Sequence, residues 1–102
     1  MRKIINGKMY NTDTANKIAE FSNYGGWGDF SHYEEAIYRK KNGEFFLAGE
    51  GGPKTKYSVS CGQNEWCGGS NIVPMTESEA KQWMEDYTSL EEYIAVFGEP
   101  EE

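Results

Sequence analysis

Cys61 and Cys67 carry the strongest nucleophiles in this chain. His32 is the one imidazole that could act as their base, with Asp29 nearby in sequence to orient it. Their spacing supports no such arrangement. A single histidine on an aromatic, glycine-rich stretch is more often packed or solvated, and a thiol on a glycine loop is usually incidental. Two cysteines and one histidine also fall short of the four ligands of a structural zinc site, so neither a metal nor a cofactor is expected. Met1-Arg2-Lys3-Ile4-Ile5-Asn6-Gly7 holds no apolar leader, and no segment approaches a membrane span. The expected location is the cytosol, where both thiols would be reduced.

The stretch Gly49-Glu50-Gly51-Gly52-Pro53-Lys54-Thr55 suggests a phosphate cradle but fails in detail. A cradle needs glycine before the lysine so that backbone amides turn inward, whereas Pro53 has no amide hydrogen and Glu50 is acidic. A tight turn is expected there. The pairs Glu34-Glu35 and Glu91-Glu92 point in different directions on a strand or helix and read as solvated charges.

Charge is unevenly placed within the net −7. Residues 1–75 hold nine basic and eight acidic side chains, and residues 76–102 hold one basic and nine acidic. Arg39, Lys40, Lys41, Lys54 and Lys56, interleaved with Tyr38, Phe46, Tyr57 and Trp66, form a candidate nucleic-acid face with stacking platforms. The overall negative charge opposes it, because phosphate would be repelled. The mirror reading has the acidic C-terminal part meet a protein surface that normally holds nucleic acid.

These residues need a scaffold. At 102 residues the chain supports one domain with a modest core. Its mean hydropathy is −0.79, yet fifteen residues are aromatic, which favours a folded domain built around large rings. From Glu35 to Gly52, two aromatic and aliphatic runs flank Asn42-Gly43, a strong hairpin signal. A two-residue turn sets Lys40 opposite Phe45 and Tyr38 opposite Leu47. A three-residue turn with Gly43 in a bulge sets Arg39 opposite Phe45 and Ile37 opposite Leu47. The bulged register is preferred because it puts Ile37, Phe45 and Leu47 on one apolar face. Ala36, Tyr38, Phe46 and Ala48 then line the other, so both faces should be covered, by helices, by glycine-rich loops or by a partner.

A first hairpin is expected from Arg2 to Tyr10 around Asn6-Gly7, with Ile4 facing Met9. Residues 12–22 combine helical spacing with threonine-rich flanks, and their place after a hairpin favours a third strand. Residues 24–33 read as a loop or a short helical turn. A short strand is expected over Lys56–Ser60, then a loop over 61–75 carrying Trp66. Thr76-Glu77-Ser78-Glu79 is a capping box that opens a helix with the stripe Ala80, Trp83, Met84 and Tyr87. Ser89-Leu90-Glu91-Glu92 repeats the device before Leu90, Tyr93, Ile94 and Phe97, and Gly98 with Pro100 supplies the stop. Trp83, Tyr87, Tyr93 and Phe97 should pack on the sheet while Glu79, Glu85, Asp86, Glu91 and Glu92 face outward. The expected fold is α+β: an antiparallel sheet of roughly four to five short strands, with two C-terminal helices on one face and an acidic tail over 99–102.

Ile5-Asn6-Gly7-Lys8-Met9-Tyr10-Asn11-Thr12-Asp13-Thr14-Ala15 and the stretch Tyr38 to Gly52 resemble a group of small proteins carried by phages, plasmids and integrative elements of Gram-positive bacteria. The similarity continues through Gly62-Gln63-Asn64, Ile72-Val73-Pro74-Met75-Thr76 and Phe97-Gly98-Glu99. Some proteins of this kind are type II-A anti-CRISPR proteins. The resemblance implies a non-enzymatic inhibitor that occupies the basic channel of an RNA-guided nuclease, where guide RNA or target DNA would lie. Glu79, Glu85, Asp86, Glu91 and Glu92 would make the salt-sensitive contacts, and Tyr38, Phe46 or Trp66 would anchor a drier centre. The alternatives are a nucleic-acid-binding accessory protein of a mobile element, using the basic hairpin, and a small enzyme built on Cys61 or Cys67.

Overall fold

The first hairpin pairs β1 (Arg2–Ile5) with β2 (Lys8–Asn11), and Ile4 does face Met9. Asn6 and Gly7 carry it at φ 51° and 78°, the left-handed conformation a two-residue turn demands. The computed structural model describes residues 1–23, 25–26 and 28–102. The ambiguous segment resolves as strand β3 (Asn16–Ser22), with its helical spacing overridden by pairing to its neighbour. Of the expected loop at 24–33, Tyr24 and Trp27 lie outside the described residues.

The central hairpin joins β4 (Tyr33–Arg39) to β5 (Phe45–Gly51) in the bulged register, Ile37 opposite Leu47 and Arg39 opposite Phe45. Gly43 takes φ 94° at the bulge, and its amide donates to the Lys40 carbonyl.

The next segment departs from expectation. Of Lys56–Ser60 only the last two residues are strand: Ser58 donates its amide to the Thr55 carbonyl, closing a turn, and β6 (Val59–Gly62) begins after it. Residues 61–75 are not a loop. β6 and β7 (Glu65–Cys67) make a ribbon of their own, and β8 (Gly69–Met75) runs antiparallel to β5 as an edge strand. Pro74 disguised β8 as a lead-in to the helix. Proline is tolerated on an edge strand, where its missing donor faces away from the ladder. The main sheet has the order β3-β4-β5-β8, beside the separate β1-β2 and β6-β7 pairs.

Two helices follow, α1 (Glu77–Tyr87) and α2 (Leu90–Phe97). The capping box forms in full: the Glu79 amide donates to Thr76 Oγ1 at 3.1 Å, and the Thr76 amide donates to Glu79 Oε1 at 2.9 Å. At α2 only half of it forms, with Ser89 Oγ accepting from the Glu92 amide. Replacing Thr76 by Ala should therefore cost about 1 kcal/mol in urea unfolding, and Ser89→Ala no more than that.

Both faces of the sheet are covered, each by a different element. Ile37, Phe45 and Leu47 pack with Ala80, Trp83 and Met84 of α1, with Tyr93 and Phe97 of α2 against them. On the opposite face Phe46, Ala48 and Ile72 pack with Tyr10 of the N-terminal hairpin. Leu90 does not join the stripe and is 66% exposed, because α2 turns it away at its first residue. Tyr87 lies at the margin of the helix layer, its ring 4.7 Å from that of Phe21 and 5.1 Å from that of Trp83. Among the described residues, no helix is long and apolar enough to cross a membrane.

Candidate functional site

The helix layer turns its carboxylates outward. Glu79, Glu85 and Asp86 on α1, and Glu91 and Glu92 on α2, are all exposed. This follows from the 3.6-residue period: once Ala80, Trp83 and Met84 are buried, the intervening positions have only water to face. Lys81, the one basic residue after position 75, reaches Glu77 at 3.9 Å and leans over the Phe97 ring. Such an exposed pair neutralises little of the field.

The expected anchors do not share that surface. Phe46 is fully buried, so its expected role as a partner anchor is overturned: the N-terminal hairpin closes over it, with Tyr10 edge-on at 5.5 Å. Tyr38 is half-buried on the same face, stacked on Phe46 at 5.3 Å, on the side of the sheet away from the helices. Trp66 alone projects freely, 62% exposed on β7.

The basic hairpin loses two of its four stacking platforms in the same way, since Phe46 and Tyr57 are both buried, while Tyr38 is half-buried and Trp66 exposed. Three of its five cations are engaged locally, while Lys41 and Lys54 are exposed. Lys40 sits 3.7 Å above the Tyr10 ring, Arg39 stacks over Phe45, and Lys56 pairs with Glu35. The glycine-rich stretch is the expected tight turn. The amides of Gly52, Lys54 and Thr55 donate to the carbonyls of His32, Phe30 and Gly52, leaving none of the three to cradle an anion.

The cysteines are not reduced thiols. Cys61 and Cys67 form a disulfide across the β6-β7 ribbon, which removes the nucleophile from any Cys-His scheme. His32 is buried with Nε2 3.0 Å from Glu34, and Asp29 accepts from the Ser31 amide within its own turn. Among the described residues no cluster of His, Cys, Asp or Glu is arranged to hold a metal ion.

Glu35 corrects another expectation, for it is not a solvated charge. It is 2% exposed, and its carboxylate accepts from the Tyr57 hydroxyl, from Trp83 Nε1 at 3.3 Å and from Lys56 Nζ at 2.5 Å. The Tyr57 ring enters because Gly49 lies opposite Glu35; a Cβ on Gly49 would come within 2.0 Å of the Tyr57 oxygen. Burial, and then the hydrogen bond to Glu35, push the Tyr57 hydroxyl well above its usual ionisation range. The cluster ties β4, the turn before β6 and α1 together. A signal for it was present: Glu35 stands two residues before Ile37 and therefore shares its covered face.

No family model, no curated protein and no solved structure matches this chain.

Proposed function

We propose that the protein is a non-enzymatic inhibitor of a host defence nuclease, most directly a type II CRISPR effector, acting through protein contact. The observation that carries this reading is the helix layer: six outward carboxylates, Glu77 included, on two adjacent short helices, in a segment with one lysine. Carboxylates held on rigid helices present fixed negative charge of the kind a nucleic-acid channel attracts, and they do so without ordering flexible segments on binding. The resemblance to small mobile-element proteins supplies the choice of nuclease. The drier contacts fall to Trp66, since Phe46 is enclosed.

The test is a cleavage assay with effector, guide RNA and target DNA to which the protein is added. Inhibition is expected to weaken as salt rises through the physiological range. Reversing Glu85 and Asp86 to Lys together should lower affinity for the effector by roughly tenfold or more while the circular dichroism spectrum is unchanged. Unaltered affinity in that variant, or no inhibition across several type II effectors, removes the proposal.

A further inference from the structure

The ribbon of β6 and β7 is built unlike the rest of the molecule. Every one of its residues is exposed, and its two strands pair only with each other. A lone two-stranded hairpin that buries no apolar face is marginal in water. The disulfide between Cys61 and Cys67 is therefore its principal constraint, closing a loop of six residues' separation. Cys61 stands where the strand register slips, between the Ser60–Trp66 and Gly62–Glu65 pairs. That bulge weakens the backbone ladder beside the bond itself.

Both ends of the ribbon are held by other means. On one side Tyr57 is buried and tied to Glu35; on the other, β8 pairs with β5 from Gly69 to Met75. Neither attachment uses the sulfur atoms. We propose that the Cys61–Cys67 disulfide is a redox switch that orders or releases residues 59–67, with Trp66 among them, while the remainder of the domain stays folded. The switch does not depend on what the acidic helices bind. Its two states also differ in a cavity of about 540 Å³ beside the ribbon, for Val59 forms part of the wall with Leu47, Tyr57 and Val73.

The reductant is a dithiol, of the class that keeps bacterial cytoplasm reducing. One thiolate of the dithiol attacks a sulfur of the pair, the Cys–Cys bond breaks, and the displaced cysteine leaves as a thiolate that takes up a proton. The dithiol's second thiolate then attacks the mixed disulfide and releases the other cysteine, which is likewise protonated. Two electrons pass to the protein, and the dithiol departs as its own disulfide. The exposure of both cysteines gives the attacking thiolate access.

Hydrogen exchange read by mass spectrometry on the full chain, oxidised and after dithiothreitol, tests this. Amides of 59–67 should exchange on the order of tenfold faster after reduction, with β4, β5 and β8 unchanged. The double variant C61S/C67S under oxidising conditions should match the reduced protein. Equal exchange across 59–67 in both states overturns the switch, as does protection lost throughout β5 and β8, or an intact mass that keeps both thiol hydrogens in oxidising buffer.

Discussion

Replacing Phe46 by Ala is expected to remove about 3–5 kcal/mol of folding stability, a large share of the roughly 5–15 kcal/mol that holds a domain of this size. The ring is fully enclosed at the centre of the four-stranded sheet, between Tyr38 on β4 and Pro74 on β8. Tyr10 meets it edge-on at 5.5 Å, and Tyr38 stacks on it at 5.3 Å. These neighbours are themselves fixed by strand pairing, so the site collapses little and the full cavity cost is felt. Urea unfolding measures it. The same variant separates an enclosed ring from a binding anchor. The fraction that remains folded should bind any partner with wild-type affinity, whereas a loss of affinity beyond the loss of folded protein would mean that the N-terminal hairpin opens on binding. A change in stability below about 1 kcal/mol would contradict the packing described for this face.

Replacing Glu35 by Ala should cost a comparable amount, about 3–5 kcal/mol, for a different reason. Its carboxylate is the shared acceptor for the buried Tyr57 hydroxyl and the Trp83 indole, which stand 22 and 48 residues away in sequence. Alanine would strand both donors and leave a void between α1 and the sheet. The Lys56 contact contributes less than its short distance suggests, because that lysine is 55% exposed and water screens it. Glu35→Gln keeps an acceptor and should lose only part of the stability, so the difference between the two variants isolates the unsatisfied donors.

The same cluster sets a pH dependence. Tyr57 is held protonated in the folded state above its ordinary value of 10.0, so the stabilisation is complete below that pH. It is lost as pH rises further, because the unfolded chain then gives up a proton that the folded chain retains. Urea midpoints followed from neutral to alkaline pH should fall more steeply in the wild type than in Tyr57→Phe.

The features legible in the residues alone are those decided within a few positions of one another. Both Asn-Gly turns, the bulged register at Gly43 and the full box at Thr76 depend on local backbone and on periods of two or 3.6, and each formed as the residues indicate. The outward carboxylates of α1 and α2 follow from the same periodicity. Glu35 was within reach of that reasoning, for the period that buries Ile37 also buries it. What no local rule supplied is which distant segment closes over which face. Phe46 and Tyr38 presented an aromatic face that a partner could have covered, and the N-terminal hairpin covers it instead. β8 became a strand only because the edge of β5 stood open to it, despite Pro74. Each of these outcomes turns on chain closure over many residues, where the entropy of bringing segments together is offset only by the full set of contacts made at once. That balance exists in the tertiary structure and in no short stretch of the chain.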